Sequence, residues 1–75
     1  MSVAIFPDDP RLVYAGSSSH GLWFSRDGGN TWSHYVAFPF RNAQSINFHP
    51  DEHQTLYITT FGGGVWLGPH LPPSK

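Results

Sequence analysis

The sequence contains no cysteine, which excludes a disulfide framework and a thiolate metal centre. Domains as small as these 75 residues commonly depend on such cross-links, because folding alone buries only about 60% of the surface that the unfolded chain exposes. We therefore expect an isolated chain to have a thin core and to gain part of its stability in another way.

Charged residues are scarce as well, at 12% of the chain, and the net charge is −1. The fixed cations are Arg11, Arg26, Arg41 and Lys75. They are too few and too scattered to form the basic stripe that neutralises nucleic-acid phosphates. We therefore expect no nucleic-acid partner.

Long apolar runs are also missing from the chain. None approaches the ~20 residues that a membrane-spanning helix requires, and the N-terminal stretch MSVAIFPDDP lacks the basic region and apolar core of a signal peptide. We therefore expect no membrane partner. The composition, with 39% hydrophobic and 16% aromatic residues, is nevertheless typical of a packed protein rather than of a disordered one.

The first part of the chain is repeated in the second at an offset of 43 residues. VAIFPDDPRLVYAGSSSHGLW, residues 3–23, aligns without a gap on INFHPDEHQTLYITTFGGGVW, residues 46–66. The identical pairs are Pro7 and Pro50, Asp8 and Asp51, Tyr14 and Tyr57, Gly21 and Gly64, and Trp23 and Trp66. Such a period indicates a protein built from repeated structural units.

Within each copy the apolar residues alternate with period two, and no segment keeps an apolar face at helical spacing beyond one turn. The pattern predicts an all-β chain. Turn-forming stretches separate seven predicted strands. These lie near residues 2–6, 12–18, 21–26, 31–37, 45–49, 55–61 and 64–68.

A four-stranded antiparallel unit that repeats every ~40 to 45 residues is typical of a β-propeller blade. The sequence thus predicts a first blade at 1–44, a second, incomplete blade at 45–68 and a tail at 69–75. Tail prolines disfavour a fourth strand, so the strand GVWLG would form an exposed apolar edge.

Two explanations for the incomplete ring remain open at this point. The chain is either the C-terminal end of a longer propeller or a fragment that closes a ring by self-association. Two, three or four copies with two blades each would give about four, six or eight blades, which are usual ring sizes.

The stretch SRDGGNTW, residues 25–32, combines a carboxylate, hydroxyls, glycines and a tryptophan between two predicted strands. These residue types suit a tight turn, because short polar side chains bond locally to the backbone and glycine accepts positive φ. Turn chemistry therefore accounts for the whole stretch without a ligand.

The same stretch resembles the Asp-box, or bacterial neuraminidase repeat, of β-propellers. The matching residues are Ser25, Asp27, Gly29, Thr31 and Trp32. The flanking strands resemble blades of xyloglucanase-like glycoside hydrolases, sortilin-type domains and photosystem II assembly factors. The resemblance implies a structural turn at the rim, substrate sites at the opposite end and a secreted or cell-envelope location. The second copy departs from the motif, with Gly68 where Ser25 would align.

Loops after the second and fourth strands of a unit lie at that opposite end. They comprise residues 17–20, 38–44 and 61–63. The predicted ligand face consists of His20, Phe40, Arg41, Asn42, Gln44 and Phe61. Aromatic platforms beside an arginine and amides suit a carbohydrate. The alternative is that these are ordinary loop residues, with Phe40 and Phe61 filling gaps between blades.

We predict no catalytic residue, no cofactor site and no metal site in this chain. His49 and His53 share no helical face, and FGGG lacks the lysine of a phosphate loop. The paired acids fall in turns at the Asp-box end, away from the ligand face. The sequence thus favours a non-catalytic scaffold or binding module. The alternative is a segment of a secreted glycoside hydrolase whose catalytic acids lie outside this chain.

Overall fold

The structure, a computed structural model, describes residues 2–62 and 64–71, and these residues form strands and no helix. The strands are β1 (Ser2–Ile5), β2 (Val13–Gly16), β3 (Leu22–Ser25), β4 (Ser33–His34), β5 (Ser45–Phe48), β6 (Thr55–Thr60) and β7 (Gly64–Pro69). The predicted all-β class is confirmed. Within the described residues no helix has the length and hydropathy that a membrane crossing requires.

The strands form two antiparallel sheets in chain order. Sheet A contains β1, β2, β3 and β4, and sheet B contains β5, β6 and β7. Each strand pairs with its sequence neighbour, as expected for a meander of short strands. The two sheets are consistent with propeller blades, and they do not close a ring by themselves.

The strand boundaries differ from the prediction: β1 to β6 are shorter than predicted, and β7 is one residue longer. The fourth strand was predicted over 31–37 but spans only Ser33–His34, because the chain turns after it and Phe38 donates its N–H to the Tyr35 carbonyl. The last strand continues to Pro69. Gly63 of the predicted ligand-face loop and residues 72–75 of the predicted tail lie outside the described residues.

The core lies between the two sheets. Alternate residues of paired strands share a face, so the register defines an inward face for each sheet. The inward face of sheet A includes Ala4, Tyr14, Gly16, Leu22 and Phe24. The inward face of sheet B includes Ile46, Phe48, Leu56, Ile58 and Trp66. Side chains of both inward faces meet in one apolar cluster.

Two buried tyrosines connect the sheets by polar contacts. The hydroxyl of Tyr14 donates to the carbonyl of His70, and that of Tyr35 donates to the carbonyl of Pro69. Burial raises the pKa of both phenols, that of Tyr35 to about 12. Both rings therefore stay neutral donors at physiological pH, and they hold the end of β7 against sheet A.

Candidate functional site

The stretch 25–32 forms the connection between β3 and β4 and is closed by its own hydrogen bonds. Ser25 Oγ donates to Asp27 Oδ1 at 2.7 Å and accepts from the Gly29 N–H at 2.8 Å. Thr31 donates its N–H to Asp27 Oδ1 at 2.9 Å and its hydroxyl to Asp27 Oδ2 at 2.5 Å. The Trp32 indole N–H donates to the Gly29 carbonyl at 3.0 Å.

The carboxylate of Asp27 is engaged as an acceptor on both oxygens. Hydrogen bonds from Thr31, and then that from Ser25, lower its pKa to about 2. A general acid needs a pKa near the working pH, and this carboxylate is held far below it. The group that looks most reactive in the sequence thus acts as the acceptor that orders a turn.

Three connections meet at the opposite end of the sheets, which we call the cleft end. Gly21 donates its N–H to the Arg41 carbonyl at 2.6 Å, and Ala43 donates its N–H to the Ser17 carbonyl at 2.9 Å. The Phe61 N–H donates to Asn42 Oδ1 at 2.7 Å. These bonds join the β2–β3 loop and the β6–β7 loop to the segment 38–44 that crosses from sheet A to sheet B.

A cleft of about 310 Å³ opens at this end. It is lined by Ser19, His20, Gly21, His34, Phe38, Pro39, Phe40 and Arg41. The lining therefore combines aromatic rings, two imidazoles and one guanidinium. Concave sites with a few polar groups among apolar walls are the usual form of small-ligand sites.

The walls of the cleft are fixed by local contacts. Ser19 Oγ and His20 Nδ1 lie 3.0 Å apart, and the Trp23 indole N–H donates to the His20 carbonyl at 2.9 Å. The ring of His34 lies against that of Trp23, with centroids 4.8 Å apart. Gly21 has φ of +80°, and a Cβ there would lie 3.2 Å from His34 Nε2.

The aromatic wall extends into the core. The rings of Phe38 and Phe40 meet edge to face at 5.6 Å, and Phe38 packs in the same way on Trp66 at 5.2 Å. Phe38 is buried, whereas Phe40 remains 37% exposed at the rim. The exposed ring of Phe40 thus packs against the buried ring of Phe38.

The structure brings three of the predicted ligand-face residues, His20, Phe40 and Arg41, to the lining of the cleft. Asn42 instead holds the loop after β6 through its side-chain carbonyl. Gln44 is exposed just before β5 and donates its N–H to the Thr59 carbonyl. Phe61 is exposed on its loop and does not line the cleft.

His34, Phe38, Pro39 and Ser19 line the cleft but were absent from the predicted face. His34 reaches it because β3–β4 pairing places it opposite Trp23. Sequence alternation identifies the loops of one end, but it does not give the register that delivers a strand residue to the same place.

The remaining polar candidates have structural partners. His49 Nδ1 accepts from the N–H groups of Asp51 and Glu52 at 3.0 and 3.1 Å, and it closes a turn. His53 Nδ1 lies 3.1 Å from the carboxylate of Asp8 in the connection between β1 and β2. In the part of the chain that the structure describes, no three histidines or acids are grouped as metal ligands.

A second cavity of about 260 Å³ lies at the end of the sheets that carries the turn 25–32. It is lined by Asp9, Arg11, Leu12, Arg26 and Leu71. Arg11 is paired with Asp9 through contacts of 3.1 and 3.0 Å, and Arg26 lies over the ring of Phe24. Both guanidinium groups therefore already have neighbours within the fold.

Comparison with known proteins gives a local likeness. No family model matches the chain. It is 38% identical over 66 residues to Xyloglucanase Xgh74A of Acetivibrio thermocellus, which covers 87% of the chain and 7% of that protein. It is 45% identical over 38 residues to a xyloglucanase of Paenibacillus sp, which covers 49% of the chain and 4% of that protein. The all-β chain thus spans a small part of these relatives, and the likeness relates it to segments of glycoside hydrolases.

Proposed function

We propose that this chain is a non-catalytic carbohydrate-binding module, built as two successive blades of an Asp-box β-propeller. The observation that carries the proposal is the cleft of about 310 Å³, where exposed Phe40 meets Arg41 and His20. The local likeness to two xyloglucanases supports a polysaccharide as the ligand class.

The chemistry of the cleft fits a sugar. Each pyranose ring has an apolar C–H face that packs on an aromatic ring, and hydroxyls at its edge that exchange hydrogen bonds. Phe40 offers the ring, Arg41 offers donors only, and His20 offers the ring nitrogen that Ser19 does not engage. The cleft volume lies at the lower end of the ~300 to 1,000 Å³ range of ligand sites, so it takes a short segment of an oligosaccharide.

The placement of the acids favours binding over hydrolysis. Glycoside hydrolysis usually needs two carboxyl groups about 5 to 9.5 Å apart across the bond to be cleaved. The chain has five acids, Asp8, Asp9, Asp27, Asp51 and Glu52. All five lie in the connections at the Asp-box end. The second candidate function, a segment of a glycoside hydrolase with its acids elsewhere, is favoured by the likeness to xyloglucanases.

Calorimetric titration of the purified chain with xyloglucan oligosaccharides tests the proposal. We expect Phe40→Ala and Arg41→Ala to weaken binding at least tenfold, and Arg26→Ala, an arginine at the opposite end, to leave it unchanged. Equal affinity in all variants would reject the cleft as the site. Release of reducing sugar by the chain alone would reject the non-catalytic assignment.

A further inference from the structure

Each sheet has a second face, on the side away from the core, that carries exposed apolar side chains. The outward face of sheet A includes Val3, Ile5, Val13, Ala15, Trp23, Ser25 and His34, and the outward face of sheet B includes Ser45, Asn47, Thr55, Tyr57, Thr59, Val65, Leu67 and Pro69. Val3, Ile5, Val65 and Leu67 are all more than half exposed. Neither set contains a lysine, arginine, aspartate or glutamate, so no charge keeps an apolar partner away.

In the 43-residue repeat, residues on the inward face of sheet A align with residues on the outward face of sheet B. Leu22 corresponds to Val65 and Phe24 to Leu67 in this alignment. Leu22 and Phe24 are 0% and 6% exposed, whereas Val65 and Leu67 are 57% and 56% exposed. The same pattern is therefore buried in the first copy and open in the second.

Conversely, residues on the outward face of sheet A align with residues on the inward face of sheet B. Val3 corresponds to Ile46 and Trp23 to Trp66. Ile46 and Trp66 pack in the core, while Val3 is exposed on the outward face of sheet A. The outward face of sheet A thus has the sequence pattern of the inward face of sheet B, which is the surface that sheet A covers within the chain.

These correspondences mean that the two exposed faces are the separated halves of an interface already present in the molecule. Within the chain, the inward face of sheet A packs on the inward face of sheet B. The outward face of sheet B has the sequence pattern of the inward face of sheet A. The outward face of sheet A has the sequence pattern of the inward face of sheet B.

We propose that a second copy of this chain docks the outward face of its sheet A on the outward face of sheet B, head to tail. This contact would repeat the blade-on-blade packing seen within one chain. It is heterologous, so each docked copy leaves one face of each kind open until the ring closes. Closure with about two to four copies would give about four to eight blades. The inference goes beyond carbohydrate binding and does not depend on it.

Analytical ultracentrifugation of variants that block one face at a time tests this contact. Ile5→Asp blocks sheet A, and Leu67→Asp blocks sheet B. We expect the unmodified chain to form one closed oligomer and each variant to lose association. An equimolar mixture of the two variants keeps one intact pair of faces, so we expect it to form a dimer and nothing larger.

Val36→Asp is the matched control, because Val36 is exposed in the turn after β4 and belongs to neither face. It should associate like the unmodified chain. Circular dichroism reports whether each variant folds, and Val3→Lys and Val65→Lys replace any that does not.

Three results would overturn the proposal. If the unmodified chain is monomeric, a second copy does not cover these faces, and further repeats of the same polypeptide would have to cover them. A mixture that stays monomeric would reject the head-to-tail pairing. Dimerisation of either variant alone would show a contact between like faces instead.

Discussion

The hydroxyl of Tyr14 donates to the main-chain carbonyl of His70, a residue 56 positions further along the chain. This bond joins the middle of sheet A to the segment that follows β7. Because Tyr14 is fully buried, its hydroxyl has no access to bulk water as a replacement partner. The contact therefore depends on correct packing of the two sheets.

We expect Tyr14→Phe to lower the free energy of unfolding by about 0.5 to 1.5 kcal/mol, because the hydrogen bond from its buried hydroxyl to the His70 carbonyl is lost. The control is Tyr57→Phe at the equivalent position of the repeat, which removes a hydroxyl from the outward face of sheet B and should change stability by less than about 0.5 kcal/mol. Urea denaturation at one protein concentration measures both. Equal losses would contradict a special role for the Tyr14 contact.

The acid side of the stability profile should depend on Asp27. Its pKa is about 2 in the folded chain and about 3.9 in an unfolded one. The unfolded state therefore binds more protons between these values, so the stabilisation is complete above about pH 4 and is lost as the pH falls towards 2. Asp27→Asn should flatten this fall in melting temperature.

Thr31→Val should flatten the same fall in part, because Thr31 is the largest cause of the lowered pKa. A residual fall is expected in both variants, since Arg11 also lowers the pKa of Asp9. A melting profile between pH 2 and 5 that is identical to that of the unmodified chain would contradict the role of Asp27.

Equivalent positions of the repeat should differ sharply in their effect on folding. Leu22→Ala truncates a fully buried side chain and should destabilise the fold by about 2 to 5 kcal/mol. Val65→Ala, at the matching position on the outward face, should change the folding of one chain by less than about 1 kcal/mol. Thermal and urea unfolding compare the two. Similar losses in a monomeric background would mean that the outward face is covered within the chain itself.

The bottom of the cleft can be tested with two glycines of similar backbone geometry. Gly21 and Gly28 have φ of +80° and +72°, so alanine is strained at both, but only at Gly21 would its Cβ meet nearby atoms. We expect Gly28→Ala to cost about 1 kcal/mol of stability and Gly21→Ala to cost more. Only Gly21→Ala should also weaken oligosaccharide binding, because it displaces His34. Equal effects on binding would contradict the placement of Gly21 in the cleft.

Period-two alternation and turn residues predicted seven strands at the positions where the structure has them, because in short antiparallel strands burial follows sequence parity. The same pattern overextended β4, since burial of Tyr35 and the turn after it are tertiary effects. The aromatic residues also differ in burial in a way that composition does not show: Trp32 is 41% exposed, whereas Tyr14 and Tyr35 are the largest fully buried side chains.

The candidate site was predictable to the level of loops. Strand direction put residues 17–20 and 38–44 at one end, and the cleft lies between them. The side chains that line the cleft are selected by tertiary contacts, which no local sequence pattern encodes. Asn42 is held by the Phe61 N–H, and His34 is delivered by the pairing of β3 with β4.

In the head-to-tail packing that we propose, the 43-residue offset gives the chain a polarity along the direction in which the sheets stack. A gene duplication that adds another copy of the unit would then need no newly evolved contact, because the added copy would use the same pair of faces. The number of units in an assembly would then be set by the angle between successive sheets, and a substitution in the repeat would alter folding and assembly together.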